Sequence, residues 1–141
     1  MPLRFRFVLG LLLGTVLLSA RPAASAAPDG NVEWLGVSHY PWQDRRPLCP
    51  VNGEGFQVRF QSYRNDLTAA AVVVTVGASS STVNAARIGT RGPYDVWAAT
   101  LPATASNTES YWITLTDGAT TDYPTANGRT RTVPARGGYA I

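Results

Sequence analysis

The chain has 141 residues, with 12 basic and 9 acidic side chains, one histidine and one cysteine; every basic residue is arginine. With no lysine there is no Schiff-base or pyridoxal attachment point and no phosphate-binding P-loop lysine. One His and one Cys fall short of the three or four N/S ligands of a zinc site within one chain. Arg4, Arg6 and Arg21 precede residue 28, so the remaining 9 arginines face 9 carboxylates, which argues against a basic nucleic-acid footprint.

Residues 1–27 read as a secretory signal peptide. Two arginines in Met1–Phe7 precede the apolar run Val8–Ala20, and Ala24-Ser25-Ala26 supplies small residues for a cut after Ala26 or Ala27. The run is shorter than the ~20 residues that span a bilayer. This predicts a secreted, extracellular or periplasmic protein with no membrane contact in its mature form. Residues 28–141 then make one domain, large enough for a real core. Cys49 has no partner in the chain and reads as a buried small hydrophobe, a free thiol or half of an intermolecular bridge, the first being preferred.

Beyond the leader the hydrophobic period is two. Val32–Val37 is a candidate first strand, with Trp34 alternating with Val32 and assigned to the core. His39–Gly53 follows as the longest stretch without strand character, kept irregular by Pro41, Pro47 and Pro50. Phe56–Gln61 alternates cleanly, and Arg64-Asn65-Asp66 is turn chemistry. Ala69–Val76 is a β-branched run with no polar face, as in a central strand. Gly77–Ser81 is a loop, Thr82–Ile88 a weaker strand, and Tyr94–Leu101 a strand stopped by Pro102. After a loop at Ala103–Asn107, Ser110–Thr116 alternates, Asp117-Gly118 turns, Thr120–Tyr123 resumes, and Asn127-Gly128 turns again before a short strand at Thr130–Val133. No amphipathic helix of useful length is present. About seven short strands with Gly/Pro/Asn turns predict an all-β antiparallel sandwich.

Asn31-Val32-Glu33-Trp34, Arg64-Asn65-Asp66-Leu67-Thr68, Tyr94-Asp95-Val96-Trp97-Ala98-Ala99 and Thr116-Asp117-Gly118 with Thr121-Asp122-Tyr123 occur in this order. The set resembles the amino-terminal Ig-like β-sandwich of secreted α-amylase-family glycoside hydrolases of the neopullulanase and cyclomaltodextrinase type. His39 falls where that family often has a histidine after the opening strand. The likeness spans Asn31 to Tyr123. It implies an accessory domain that packs beside a catalytic barrel or a dimer partner and, in some members, binds starch-like glucans. The acid, base and nucleophile of that family lie on the barrel, so the resemblance implies no hydrolysis by this chain. It implies no cofactor, and as partners an α-glucan polysaccharide or a catalytic barrel domain. The tail Val133–Ile141 departs from the pattern: it is short and Gly-rich where a strand leading into the barrel is expected. A stand-alone protein and a truncated reading frame both remain open on that basis.

Glycoside hydrolysis uses two carboxyl groups about 5–10 Å apart. Asp95 with Glu109, and Asp117 with Asp122, are the available pairs. All four stand at strand ends or turns, where such side chains are ordinarily solvated or capping. No Gly-x-Ser-x-Gly elbow occurs, and His39, read as a surface histidine, has no serine singled out for it. The chain therefore reads as non-catalytic.

A sugar site requires an aromatic ring that the core does not need, with amides, carboxylates or arginines nearby for the hydroxyls. Trp112 is the leading candidate: it lies between Ser110 and Thr114 on the polar face of its strand, where cross-strand packing is the competing role. Tyr40 and Trp42 sit in the irregular loop beside His39, Gln43 and Asp44. Trp97 is a fourth candidate, although its strand has no clear polar face and a core role is preferred. The alternative from a different class is an extracellular Ig-like structural or protein-interaction module. A sugar site predicts aromatics on one exposed face, whereas protein packing predicts one broad apolar patch.

Overall fold

The computed structural model describes residues 28–103, 109–125, 128–134 and 138–140. The leader expected over 1–27, most of the loop expected at Ala103–Asn107, and Asn127 lie outside the described residues. A 3-10 turn at Trp34–Gly36 and a one-turn helix α1 (Pro41–Asp44) open the domain. The strands follow as β1 (Arg45–Arg46), β2 (Phe56–Tyr63), β3 (Ala69–Val76), β4 (Ser79–Asn84), β5 (Ala86–Arg91), β6 (Tyr94–Leu101), β7 (Glu109–Asp117), β8 (Thr120–Thr125), β9 (Gly128–Thr130) and β10 (Tyr139–Ala140).

They form two antiparallel sheets, one ordered β1-β2-β6-β5 and the other β4-β3-β7-β8-β9, with β10 on β7. The period-two pattern explains the core. Phe56, Val58 and Phe60 on β2 and Trp97, Ala99 and Leu101 on β6 face Ala70, Val72 and Val74 on β3 and Tyr111, Ile113 and Leu115 on β7. A side chain of this size buried in full contributes ~1.5–3 kcal/mol, so this interleaved layer is the main source of stability. The sandwich expected from the alternation is therefore present, with shorter edge segments added to the expected strands.

Several segments depart from expectation. The short strand expected at Thr130–Val133 runs over Gly128–Thr130 instead, and β4 begins at Ser79, inside the loop expected at Gly77–Ser81. Val32–Val37 is no strand: carboxylates from other elements claim the donors at its entry, and the Gly36 and Val37 amides close a 3-10 turn on Glu33 O and Trp34 O. Asp117 Oδ2 accepts the N–H groups of Asp29, Gly30 and Asn31 at 3.0, 2.8 and 3.2 Å, and Asp66 accepts that of Glu33. Gly36 then lies flat on Tyr63, where a Cβ would come within 2.4 Å of the ring, and the turn ejects Leu35, which is 88% exposed. Thr82–Ile88 is not one strand either. The chain crosses between sheets at Ala85, whose N–H donates to Ala70 O at 2.8 Å, so β4 pairs with β3 and β5 with β6. Both are edge strands with little buried face, which is why alternation there is faint. Lastly, the loop expected over His39–Gly53 contains α1 and β1, and Arg45 and Arg46 pair with Val58 and Gln57.

Candidate functional site

Ser38 exchanges both backbone hydrogen bonds with Gln61, which pins the segment before α1 to the free flank of β2. His39 is thereby turned inward, and its side chain is 1% exposed. This corrects the reading of His39 as a surface residue: Ser38 occupies a strand-like register, so its neighbour points between the sheets. Nδ1 lies 2.6 Å from Arg59 O and Nε2 2.9 Å from the Tyr111 hydroxyl. A carbonyl can only accept, so Nδ1 carries the hydrogen, and the bare Nε2 of the neutral ring accepts from Tyr111. The ring edges of Tyr111 and Tyr139 complete the enclosure at centroid distances of 5.7 and 4.7 Å. Burial pushes the imidazole pKa below its usual value, against the pull of the Arg59 carbonyl and of the Asp44 carboxylate 3.9 Å away. Burial also raises the Tyr111 and Tyr139 hydroxyls, so both stay protonated donors.

The next residues reach solvent. Tyr40 is 49% and Trp42 64% exposed, with ring centroids 5.4 Å apart and planes tilted by 42°. Pro41 at the first helical position sets the turn. Asp44 Oδ2 accepts the Tyr40 N–H at 2.7 Å, while Gln43 and Asp44 N–H both reach Tyr40 O at 2.8 Å. The aromatic pair is thus carried on a braced turn, seated on β2. Tyr40 also walls a cavity of about 160 Å³ that it shares with Trp34, His39, Pro124 and Tyr139. Trp34, expected in the core, is only half-buried and forms part of this wall, because the 3-10 turn rotates it off the strand register.

The other predicted aromatics lie elsewhere. Trp97 is 7% exposed, donates its indole N–H to Ser62 Oγ at 3.1 Å and lies parallel to Phe60. This burial matches the core role preferred for Trp97 and leaves little of its indole exposed. Trp112 is on the outer face of the other sheet opposite Val73, half-buried, with its Nε1–H shielded and without a hydrogen-bond partner among the described residues. The structure therefore brings Tyr40 and Trp42 together and leaves Trp112 on a separate surface.

Three of the four candidate carboxylates, Asp95, Asp117 and Asp122, are structural anchors. Asp95 is 1% exposed and accepts the N–H of Asn65 at 2.8 Å, with Arg87 3.4 Å away; Asn65 adopts φ 61° to make this bond. Asp122 is fully buried between Arg129 and Arg131, at 3.4 and 3.2 Å. Asp117 holds the three amino-terminal amides described above. The sequence reading of these carboxylates as solvated or capping misses their burial. The side chain of Glu109 lies outside the described residues. Cys49 is exposed, which overturns its assignment as a buried hydrophobe: the bend after β1 carries it away from the sandwich.

No family model matches the chain. Among solved structures, a cyclomaltodextrinase superposes with a TM-score of 0.64 at 18% sequence identity, over 76% of this chain and 19% of that one. The chain thus spans about a fifth of that protein's length, and at this identity the likeness is one of fold. What the comparison establishes is that this sandwich shares its architecture with a segment of an α-amylase-family glycoside hydrolase, the kind of protein the sequence resembles.

Proposed function

We propose that this chain is a non-catalytic accessory domain of the α-amylase type, exported by its leader, that holds a starch-like α-glucan against Tyr40 and Trp42. The observation that carries this reading is the pair of exposed rings braced on α1 by the Asp44 carboxylate. Flat aromatic faces stack on the apolar CH face of a pyranose, and a fixed turn lowers the ordering cost of contact. Gln43 stands beside them for hydroxyls. The burial of Asp95, Asp117 and Asp122 in anchoring bonds supports the non-catalytic part of the reading. Affinity electrophoresis in gels with and without soluble starch tests it. Starch should retard the protein, and Tyr40→Ala and Trp42→Ala should each weaken retardation while Trp112→Ala leaves it unchanged. Migration unaffected by starch removes the glucan reading.

One observation favours a second reading, in which the same segment packs on another protein domain such as a catalytic barrel. Leu35, Tyr40, Trp42, Leu48 and Val51 are five of the seven large hydrophobics exposed among the described residues. All lie between residues 35 and 51, and exposed apolar side chains gathered in one segment are what a protein-packing surface needs. Under this reading, Leu35→Ser weakens capture by a separately expressed amylase-type barrel and leaves any starch retardation intact.

A further inference from the structure

On the other side of α1, the outer face of the four-stranded sheet carries an unusual charge pattern. Gln57, Arg59 and Gln61 point outward from β2, Arg46 joins them from β1 and Arg91 from β5. Register places Tyr63, Tyr94, Val96, Ala98 and Thr100 on the same face, so among its described residues none is acidic. The domain as a whole is balanced in charge, yet its carboxylates are spent elsewhere: Asp95 on Asn65 and Arg87, Asp117 on backbone amides, Asp122 on Arg129 and Arg131. Arg46, Arg59 and Arg91 make no ion pair with any described carboxylate.

These three guanidinium groups line one groove of about 180 Å³ together with Gln43, Asp44 and Gln61. Asp44 is the single acid on its rim, and its Oδ2 is already engaged by the Tyr40 N–H. Arg59 gives its Nε–H to Gln57 Oε1, which holds the guanidinium in place, and its terminal N–H groups make no ion pair with a described carboxylate. A guanidinium offers paired donors that match two oxygens of a carboxylate or sulfate. The interleaved glutamines donate and accept, as sugar hydroxyls demand. Trp42 and Gln43 are consecutive on α1, so a polymer crossing the helix meets the aromatic pair and then the groove.

We propose that this groove is a binding site for an anionic sugar unit, a pyranose carrying a carboxylate or a sulfate ester. The inference goes beyond the glucan contact proposed above, because it needs Arg46, Arg59 and Arg91 and not the rings of Tyr40 and Trp42. Charge complementarity selects the occupant: three cations against one carboxylate leave a net positive charge that an anion complements, and the amides and neighbouring aromatics favour a carbohydrate over a peptide.

The test is affinity electrophoresis of the full chain with neutral dextran, carboxymethyl-dextran and dextran sulfate, which share one glucan backbone. The charged polymers should retard the protein more strongly than the neutral one, with retardation falling as salt rises. Which charged polymer retards it distinguishes the carboxylate from the sulfate. The double variant Arg46→Gln/Arg91→Gln should weaken this retention on the order of tenfold. Arg64→Gln, which removes one charge outside the groove, should leave it within about twofold. Arg46 and Arg91 are exposed, so an unchanged thermal midpoint is expected, and Arg91→Glu in a folded protein provides a second check. Equal retention by neutral and charged dextrans overturns the proposal. So does an equal loss in Arg64→Gln, which means diffuse charge, or tighter retention by poly-L-glutamate, which means a peptide-docking face. Retention by charged dextran with no effect of starch upholds this site and removes the glucan reading alone.

Discussion

His39 and Tyr111 join the two sheets through two hydrogen bonds that share the imidazole. The imidazole receives the Tyr111 hydroxyl of β7 at 2.9 Å on one side and donates to Arg59 O of β2 at 2.6 Å on the other. A polar bridge therefore runs through the gap that apolar side chains otherwise fill. It also sits directly behind Tyr40, so the inner anchor and the exposed aromatic pair are built from consecutive residues.

Burial disfavours the charged form of this ring, which gives the fold a pH dependence. Burial lowers the His39 pKa from its ordinary 6.5, so the unfolded chain binds the proton more readily than the folded one. Stability from this group is complete above pH 6.5 and is lost as pH falls through that value toward the lower folded pKa. The slope reaches at most about 1.4 kcal/mol per pH unit for one proton. Burial of Asp66 raises its pKa above 3.8, and that group acts in the opposite sense at lower pH. Thermal midpoints measured between pH 8 and 5 should drop at the acid end by on the order of 5 °C, and His39→Gln should flatten the profile. A midpoint constant over that range contradicts the neutral bridge.

Tyr111→Phe keeps the ring and removes the hydroxyl, leaving the buried Nε2 of His39 without a donor. The expected loss is about 1–3 kcal/mol, read from the urea midpoint at neutral pH. A change below about 0.5 kcal/mol means that another group or a water replaces the bond.

Asp117→Ala strips one acceptor from three backbone amides at the entry of the domain. A destabilisation of about 1–3 kcal/mol is expected in denaturant unfolding. Local opening of residues 29–31 should appear first, as faster amide exchange there than at β2 or β7.

The two classes of tryptophan should separate cleanly. Trp97→Ala empties a core position and should cost about 3–5 kcal/mol. Trp42→Ala removes an exposed ring and should change stability by no more than about 0.5 kcal/mol. A large stability loss in Trp42→Ala identifies it as a structural cover and removes it from the glucan site.

Cys49 is exposed, so a thiol reagent should modify the native protein fully, at a rate close to that of the denatured chain. A protected thiol in the native state points to burial in an assembly.

The core was legible because each central strand buries one face. Phe56, Val58 and Phe60 declare β2, and Tyr111, Ile113 and Leu115 declare β7, since a period of two admits one partition of inside and outside. Tyr111 also carried a clue: it is an inward aromatic with a hydroxyl, and such a group requires a partner. That partner, His39, lies 72 positions away in an irregular segment, so no local pattern points to it. The edge strands β4 and β5 were blurred into one because edges bury too little to show alternation.

The sequence by itself determined the all-β class, the order of the main strands and the assignment of Tyr40 and Trp42 to an irregular loop. Those features rest on local chemistry: side-chain period, turn residues and proline. The tertiary structure alone decided that Tyr40 and Trp42 stand together, that three aspartates are buried anchors, and that Arg46, Arg59 and Arg91 share one groove. Each of these depends on which strands pair across long sequence separations, and a local pattern does not carry that information.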